Sequence, residues 1–233
     1  MIYAVKHNKV DRNQFKLNED SLTSSVFERL MYLPKEMFQH ILEKALYDTI
    51  PGLDLTSIDS VEYWPNWSAN GTSNSTHVQP DVFIRTRKSD IIIETKRYDI
   101  KQQDPFQWKK QVIAYHTEYG EEQKELIYIA LGGLNSNKTE PVLHDYYNTK
   151  IYKCKWQRIL DVVKEVLYRL ESTYDLTNNH TAIHNILSDI ILAFGMYGFF
   201  TGEWIERFIK PESLSISNLN KMQDLNNISE WKN

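Results

Sequence analysis

The sequence predicts an α/β protein in which helices flank a central mixed β-sheet, with a helical extension at the C-terminus. Three observations carry this. Pro80 to Lys96 holds two arms rich in β-branched and aromatic residues, separated by a polar break at Lys88-Ser89, and reads as a pair of strands. Leu126 to Leu131 is a nearly continuous apolar run, as a strand covered on both faces would be. Between them Phe106 to Tyr115 has helical spacing, so an antiparallel hairpin is followed by a helical crossover to a buried strand. A chain of 233 residues is long enough for one sizeable core and an appendage. We divide it into a core over residues 1–154, a helical extension over 155–212 packed on the core or on a partner, and a polar tail over 213–233.

In order along the chain, Met1 to Val5 is a short strand or a tail. Leu22, Val26, Phe27, Leu30, Met31 and Leu33 form a helical stripe, with Asp20 or Ser21 placed as N-cap. Pro34 restarts the chain into a second helix with Phe38, Ile41, Leu42, Ala45 and Leu46 on one side, ending before Pro51-Gly52. Ile58 to Trp64 alternates as the first strand, and Asn66 to Thr76, rich in Ser, Asn and Gly, is a solvated loop. After the hairpin, Asp104-Pro105 opens a helix in cap-then-proline order. Its apolar face is Phe106, Trp108, Val112, Ile113 and Tyr115, and Gly120 is its stop. Ile151 to Cys154 adds an edge strand. Trp156 to Leu170 and Thr181 to Phe194 are amphipathic helices, Gly202 to Phe208 is a candidate third, and the Asn-rich segment from Ser213 is a mobile tail.

Composition excludes several classes. A net charge of −4 provides no global basic field, so affinity for a polyanion has to come from local patches. The single cysteine, Cys154, cannot close an intramolecular disulfide or build a cysteine-rich metal site, which suits a reducing cytoplasm. Met1 to Asn18 mixes charges with isolated apolar residues and does not read as a signal peptide. Ile190 to Phe200 is too short to span a bilayer. Gly132 to Thr139 nearly matches a P-loop, but Asn137 stands where a glycine is required and Glu140-Pro141 follows where a helix should start, so we expect no ATP site. His77, His116 and His144 share no ligand spacing with Cys154, which argues against zinc.

The chemistry concentrates in the hairpin. If the connection is even, Arg87 faces Asp90, Arg85 faces Ile92, Phe83 faces Glu94 and Asp81 faces Lys96. Glu94 and Lys96 then share one strand face, and Asp81 joins them diagonal to Glu94, about 7–8 Å away between backbones. A slip by one residue would send Asp81 to the opposite face. Two carboxylates aimed at one point need a cation or a shared proton, and hard oxygen donors suit Mg²⁺ or Mn²⁺. Lys96 adds a mobile positive charge able to hold or deprotonate water, which points to metal-dependent hydrolysis of a phosphodiester. The rival is an exposed salt-bridged ladder. Ile91 to Ile93 marks a buried strand, however, where Glu94 and Lys96 are costly unless paired or ligated.

Pro80-Asp81 followed by Glu94-Thr95-Lys96 on the next strand resembles the signature of the PD-(D/E)xK nucleases, the restriction-endonuclease-like superfamily. Gln111-Val-Ile-Ala-Tyr115 is similar to the Gln-x-x-x-Tyr motif of its RecB-like branch, although Val78-Gln-Pro-Asp81 replaces the Gly-x-x-Asp common there. The resemblance covers roughly Glu19 to Leu131. It implies metal ligation by Asp81, Glu94 and the main-chain carbonyl of Thr95, and water activation by Lys96. Gln111 and a further carboxylate, Glu19, would lend support; Glu28, deeper in the same helix, is the rival to Glu19. DNA as substrate and a role in restriction or antiviral defence follow from the same resemblance. Alternatives are a repair or replication nuclease acting on branched or single-stranded ends, and a non-catalytic nucleic-acid-binding subunit of the same fold.

Arg85, Arg87, Lys88, Arg97, Lys101, Lys109 and Lys110 gather in the hairpin and the following helix, where a phosphate backbone would lie. Tyr63, Trp64 and Trp67 are candidates for stacking on unpaired bases, or core aromatics. No recognition module is evident. Sequence choice would then come from a partner protein, for which the C-terminal helices are the expected docking surface; the aromatic Leu192 to Phe200 segment is core or a contact for another subunit, a homodimer included.

Overall fold

A pair of tight polar contacts sets where the first described helix begins. In the computed structural model, which describes residues 17–98, 101–136, 140–144, 147–172 and 178–202, helix α1 spans Glu19–Leu30. Its N-cap is Asn18 rather than Asp20 or Ser21. The Asn18 side chain accepts from the Ser21 amide at 2.9 Å, and Ser21 Oγ accepts from the Asn18 amide at 3.0 Å. The short amide reaches the third helical residue, so Glu19 and Asp20 both enter the first turn, where the helix dipole favours them. Helix α2, Lys35–Ala45, follows Pro34.

Strand β1 is Ile58–Tyr63. The loop expected at Asn66 to Thr76 contains β2, Trp67–Ser68, which pairs with β3, His77–Val78, as a separate two-stranded ribbon. Trp67 explains it: the ring is buried against Phe83, Tyr115 and Tyr119 and ties the loop down. Strands β4, Val82–Thr86, and β5, Ser89–Thr95, form the hairpin. Helix α3, Pro105–Tyr119, is capped by Asp104 and passes through the 3-10 turn Gly120–Glu122 into β6, Glu125–Leu131. Then come β7, Glu140–His144, β8, Tyr147–Cys154, α4, Trp156–Ser172, and α5, Asn178–Met196.

Six strands form one mixed sheet in the order β1-β4-β5-β6-β8-β7. The pairs β1/β4 and β4/β5 are antiparallel, β5/β6 and β6/β8 parallel, and β7/β8 antiparallel. The α/β class and the helix-flanked mixed sheet are therefore as the sequence predicts. The strand at Ile151 to Cys154 is interior rather than an edge. The edge is β7, whose Pro141 is tolerated there because an edge strand needs fewer ladder donors.

The hairpin register differs from the expectation by two residues: Val82 pairs with Ile93, Phe83 with Ile92, Ile84 with Ile91 and Arg85 with Asp90. Thr86 forms the corner, its hydroxyl donating to the Ser89 carbonyl at 2.7 Å and accepting from the Ser89 amide at 3.1 Å. This threonine clamp moves the turn back to Arg87-Lys88. A shift of two preserves which face each side chain takes.

Two apolar clusters sit on the two faces. Val82, Ile84, Ile91, Ile93, Ile127 and Ile129 pack with α1, α2, α4 and α5. Phe83, Ile92, Tyr128 and Ala130 pack with Trp108, Val112 and Tyr115 of α3. The helices at 156–172 and 178–196 thus pack on the core, in the same cluster as α1. On α3, Phe106 is not part of the buried face and is 75% exposed. At about 100° per residue it lies roughly 160° around the helix from Trp108. The expectations for Met1 to Val5, for the segment beyond Gly202 and for the tail lie outside the described residues. Among the described residues no helix is long and apolar enough to cross a membrane.

Candidate active site

All seven residues of β5 are buried, so a charge at its end must find partners. Continuing the observed register places Asp81 directly opposite Glu94, rather than diagonal to it, at about 4.5–5.5 Å between α-carbons. Both lie at the end of β5 where the parallel strand β6 also finishes; Glu94 reaches α3, whereas Asp81 reaches Trp64 and the Thr95 hydroxyl, which is linked to Thr23 of α1.

Each carboxylate is held from several directions. Asp81 Oδ1 accepts from the Trp64 indole N–H at 3.1 Å, and Oδ2 from the Thr95 amide at 2.7 Å and the Thr95 hydroxyl at 2.8 Å. Thr95 Oγ1 lies 2.7 Å from Thr23 Oγ1 of α1. Glu94 Oε1 accepts from Lys96 Nζ at 2.6 Å and Gln107 Nε2 at 2.7 Å, and Oε2 from Gln111 Nε2 at 2.6 Å. The buried Tyr128 hydroxyl donates to Gln111 Oε1, which fixes the amide so that its NH₂ faces Glu94. Lys96 Nζ also donates to Glu19 Oε1 at 3.2 Å, and the Arg97 amide to Glu19 Oε2 at 3.2 Å. Glu19, at the head of α1, is therefore the further carboxylate of the cluster. Glu28 is buried nine residues deeper, about 13 Å along the helix axis.

The electrostatics follow from this assembly. Burial, then the neighbouring Asp81, pushes the Glu94 carboxyl up to about 8, against the pull of Lys96 and Gln111. Lys96 Nζ, 2.6 Å from Oε1, is the charge that opposes this rise and favours the ionised form. Burial also raises Glu19, opposed by Lys96 and reinforced by Asp81. For Lys96 burial works against the ammonium, yet Glu94, Asp81 and Glu19 together hold it above its ordinary value. Three carboxylates facing one ammonium leave two negative charges uncompensated when all are ionised.

That excess and the all-oxygen donor set fit a hard divalent cation. Among the described residues no group of three or more His, Cys, Asp or Glu is arranged to hold a metal ion. Two carboxylates, completed by carbonyl oxygen and water, are the usual manner in which Mg²⁺ is held.

The strand exit is shaped by a feature that resembled a phosphate-binding loop in sequence. Gly132 and Gly133, after β6, both have positive φ. A Cβ on Gly132 would collide with the Lys96 carbonyl oxygen, and one on Gly133 would lie 2.8 Å from Lys96 Cβ. The glycines let the chain press against Lys96, whose carbonyl also accepts from the Trp156 indole at 2.7 Å. The Gly133 carbonyl accepts from the Gln102 and Gln103 amides at 3.0 and 3.1 Å, and the Gly133 amide donates to the Tyr98 carbonyl. Gln103 Nε2 in turn donates to the Glu94 carbonyl at 3.1 Å.

Sequence reasoning missed Gln103, Gln107, Trp64, Thr23 and Tyr128. Only Gln107 carried a usable signal: Gln103, Gln107 and Gln111 recur every four residues, an uncommon polar row beside the apolar face of α3. Tyr115 reaches a different carboxylate, its hydroxyl donating to the buried Asp90 at 3.2 Å. Arg85 and Lys124 flank Asp90 as well. The Gln-x-x-x-Tyr pair thus pins α3 to β5 at two points.

The expected basic gathering is split. Arg85 pairs with Asp90 and Glu122 and lies 4.7 Å above the Tyr119 ring. Arg87 and Lys88 are exposed at the turn, about 20 Å from Asp81 at roughly 3.3 Å per residue. Arg97, Lys101, Lys109 and Lys110 are at the site end. Tyr63, Trp64 and Trp67 are buried, which makes them core aromatics rather than stacking platforms.

No protein-family profile matches the chain. It is similar to an uncharacterized protein, PM0110, of Pasteurella multocida (strain Pm70), at 27% identity over 244 aligned residues that take in 93% of this chain and 88% of the relative.

Proposed function

We propose that this protein is a metal-dependent nuclease that hydrolyses phosphodiester bonds of DNA. The observation that supports it is the convergence of Asp81, Glu94 and Lys96 at one strand end, with Glu19 on the same ammonium and Gln111 on the same carboxylate. An exposed salt-bridge ladder would need none of this burial. Asp81, Glu94 and the Thr95 carbonyl would hold Mg²⁺ or Mn²⁺, and Glu19 would lend support from its place on Lys96 and the Arg97 amide. When bound, such an ion supplies Lewis acidity toward a phosphoryl oxygen and makes water a stronger nucleophile at neutral pH.

The chain's own residues do the positioning. Trp64 and the Thr95 amide fix the Asp81 carboxylate, and Gln107 and Gln111 fix that of Glu94, so neither has to reorganise when charge develops. Lys96, favoured as an ammonium, acts as a donor that holds the attacking water and offsets phosphate charge rather than as the base. DNA as the substrate, and restriction or antiviral defence as the setting, rest on the family resemblance. The test is incubation of purified protein with plasmid, linear duplex, single-stranded DNA and RNA, each with Mg²⁺, Mn²⁺ or a chelator. Cleavage of DNA with metal and none with chelator is expected; equal cleavage in chelator would refute the reading.

A further inference from the structure

Two exposed aromatics stand at the rim of this site. Tyr98, two residues beyond Lys96, is 57% exposed, and Phe106, next to the Gln107 that holds Glu94, is 75% exposed. Both are carried on backbone that is tied down. The Tyr98 amide donates to Gln102 Oε1 at 2.9 Å and its carbonyl accepts from Gly133, while the Phe106 amide donates to Asp104 Oδ1 at 2.9 Å within the helix cap. A lone exposed aromatic needs no explanation, but these two are interleaved with cations. Lys109 and Lys110 follow Phe106 by three and four residues and so flank it on the outward side of α3. Lys101 is exposed on the connecting loop, and the Arg97 guanidinium lies over the Tyr98 ring, 5.1 Å from its centroid, and donates to the Leu17 carbonyl. Among the described residues Lys101, Lys109 and Lys110 make no ion pair, in a chain whose net charge is −4.

We propose that Tyr98 and Phe106 are stacking platforms for unpaired bases, with Lys101, Lys109 and Lys110 on the adjoining phosphates, so that the strand entering the site is single-stranded nucleic acid. Every base has a π-face and every linkage a phosphate, so aromatics alternating with cations bind a single strand with little regard to sequence. In a stacked duplex the base faces are hidden, and Tyr98 and Phe106 would gain nothing from it. The charge complementarity also separates this occupant from a protein partner, which would leave the lysines unmatched unless it were acidic. The inference deepens the nuclease reading and rests on it for the strand's destination, but binding can be measured without cleavage.

The test is fluorescence anisotropy of labelled single-stranded and duplex oligonucleotides of one sequence with the full chain in chelator, using wild type, Tyr98→Ala, Phe106→Ala, Phe106→Trp and Lys109→Ala/Lys110→Ala. Expected are tighter binding of the single strand than of the duplex, a roughly five- to hundredfold loss for each alanine at an aromatic, and retention by Phe106→Trp. The double lysine variant should flatten the salt dependence by about 0.7 for each phosphate it no longer neutralises. Preference for the duplex, no binding of the single strand, or an affinity unchanged within about twofold in both aromatic variants would overturn the proposal. So would the finding that these variants alter only self-association or an acidic protein contact. Single-strand binding by a protein that cleaves nothing with metal would leave this inference standing and remove the hydrolytic one.

Discussion

Replacing Glu94 with glutamine should change how stability depends on pH. Glu94 is 1% exposed, and burial followed by the charge of Asp81 moves its carboxyl from the ordinary 4.5 to about 8. Between those values the folded chain keeps a proton that the unfolded chain has released. Wild-type stability is therefore highest at the acid side of the window and falls as pH rises toward about 8. At about 1.36 kcal/mol per pH unit, the penalty is at most about 5 kcal/mol. Glutamine is neutral throughout and removes that slope. It also fits its surroundings less well, because Lys96, Gln107 and Gln111 all donate to Glu94 and an amide offers only one acceptor. Setting an NH₂ against one of these donors costs about 1–3 kcal/mol. Glu94→Gln should accordingly be less stable than wild type near pH 5 and more stable near pH 8, by about 2–4 kcal/mol at the upper end. Urea midpoints from about pH 5 to about pH 9, taken with chelator present, measure this. Parallel curves for the two proteins would show that Glu94 is not the buried titrating carboxyl, and the charge balance of the site would have to be reassigned.

Three other outcomes follow. A divalent cation should displace the proton from Glu94, so Mn²⁺ affinity should rise up to about tenfold per pH unit below about 8; calorimetry in two buffers of different ionisation heat should return up to one released proton, and pH-independent affinity would contradict it. Trp64→Phe removes the 3.1 Å donor to Asp81 Oδ1 and should lower stability by about 1–3 kcal/mol and slow cleavage, whereas an unchanged rate would show that Asp81 needs no help from the indole. Gly132→Ala places a Cβ on the Lys96 carbonyl at a residue with φ +71°, so a loss of about 3 kcal/mol or more in urea unfolding is expected, and a variant as stable as wild type would mean that the Lys96 exit can move.

Much of the fold was legible because it rests on periodicities that the sequence carries directly. The apolar runs at Ile91 to Ile93 and Leu126 to Leu131 mark strands covered on both faces, and the cap-then-proline at Asp104-Pro105 starts α3 where expected. Face parity across the hairpin was also legible. The register was not, since the Thr86 hydroxyl bonds that place the turn are local side-chain chemistry that leaves no periodic trace. The same limit hid β2 and β3, whose two-residue strands are held by the packing of Trp67. In the site, residue types and their spacing pointed to Asp81, Glu94 and Lys96, whereas Gln111 and Glu19 were implied by the family resemblance. Trp64, Thr23 and Tyr128 were invisible because each is an ordinary core residue except for one polar atom aimed at a carboxylate or its partner. Phe106 was misplaced by treating an apolar residue as buried; its angular position on α3 relative to Trp108 is what puts it outside.

The central claim is that Asp81, Glu94 and Lys96 act together as a hydrolytic site. It is tested most directly by single-turnover cleavage of whichever DNA form wild type cuts, with Mg²⁺ or Mn²⁺, in wild type, Asp81→Asn and Lys96→Ala, with circular dichroism to confirm folding. The expected result is a loss of at least about a hundredfold in both folded variants. A rate within about threefold of wild type in either, or no cleavage of any DNA form by wild type with either metal, would contradict the claim.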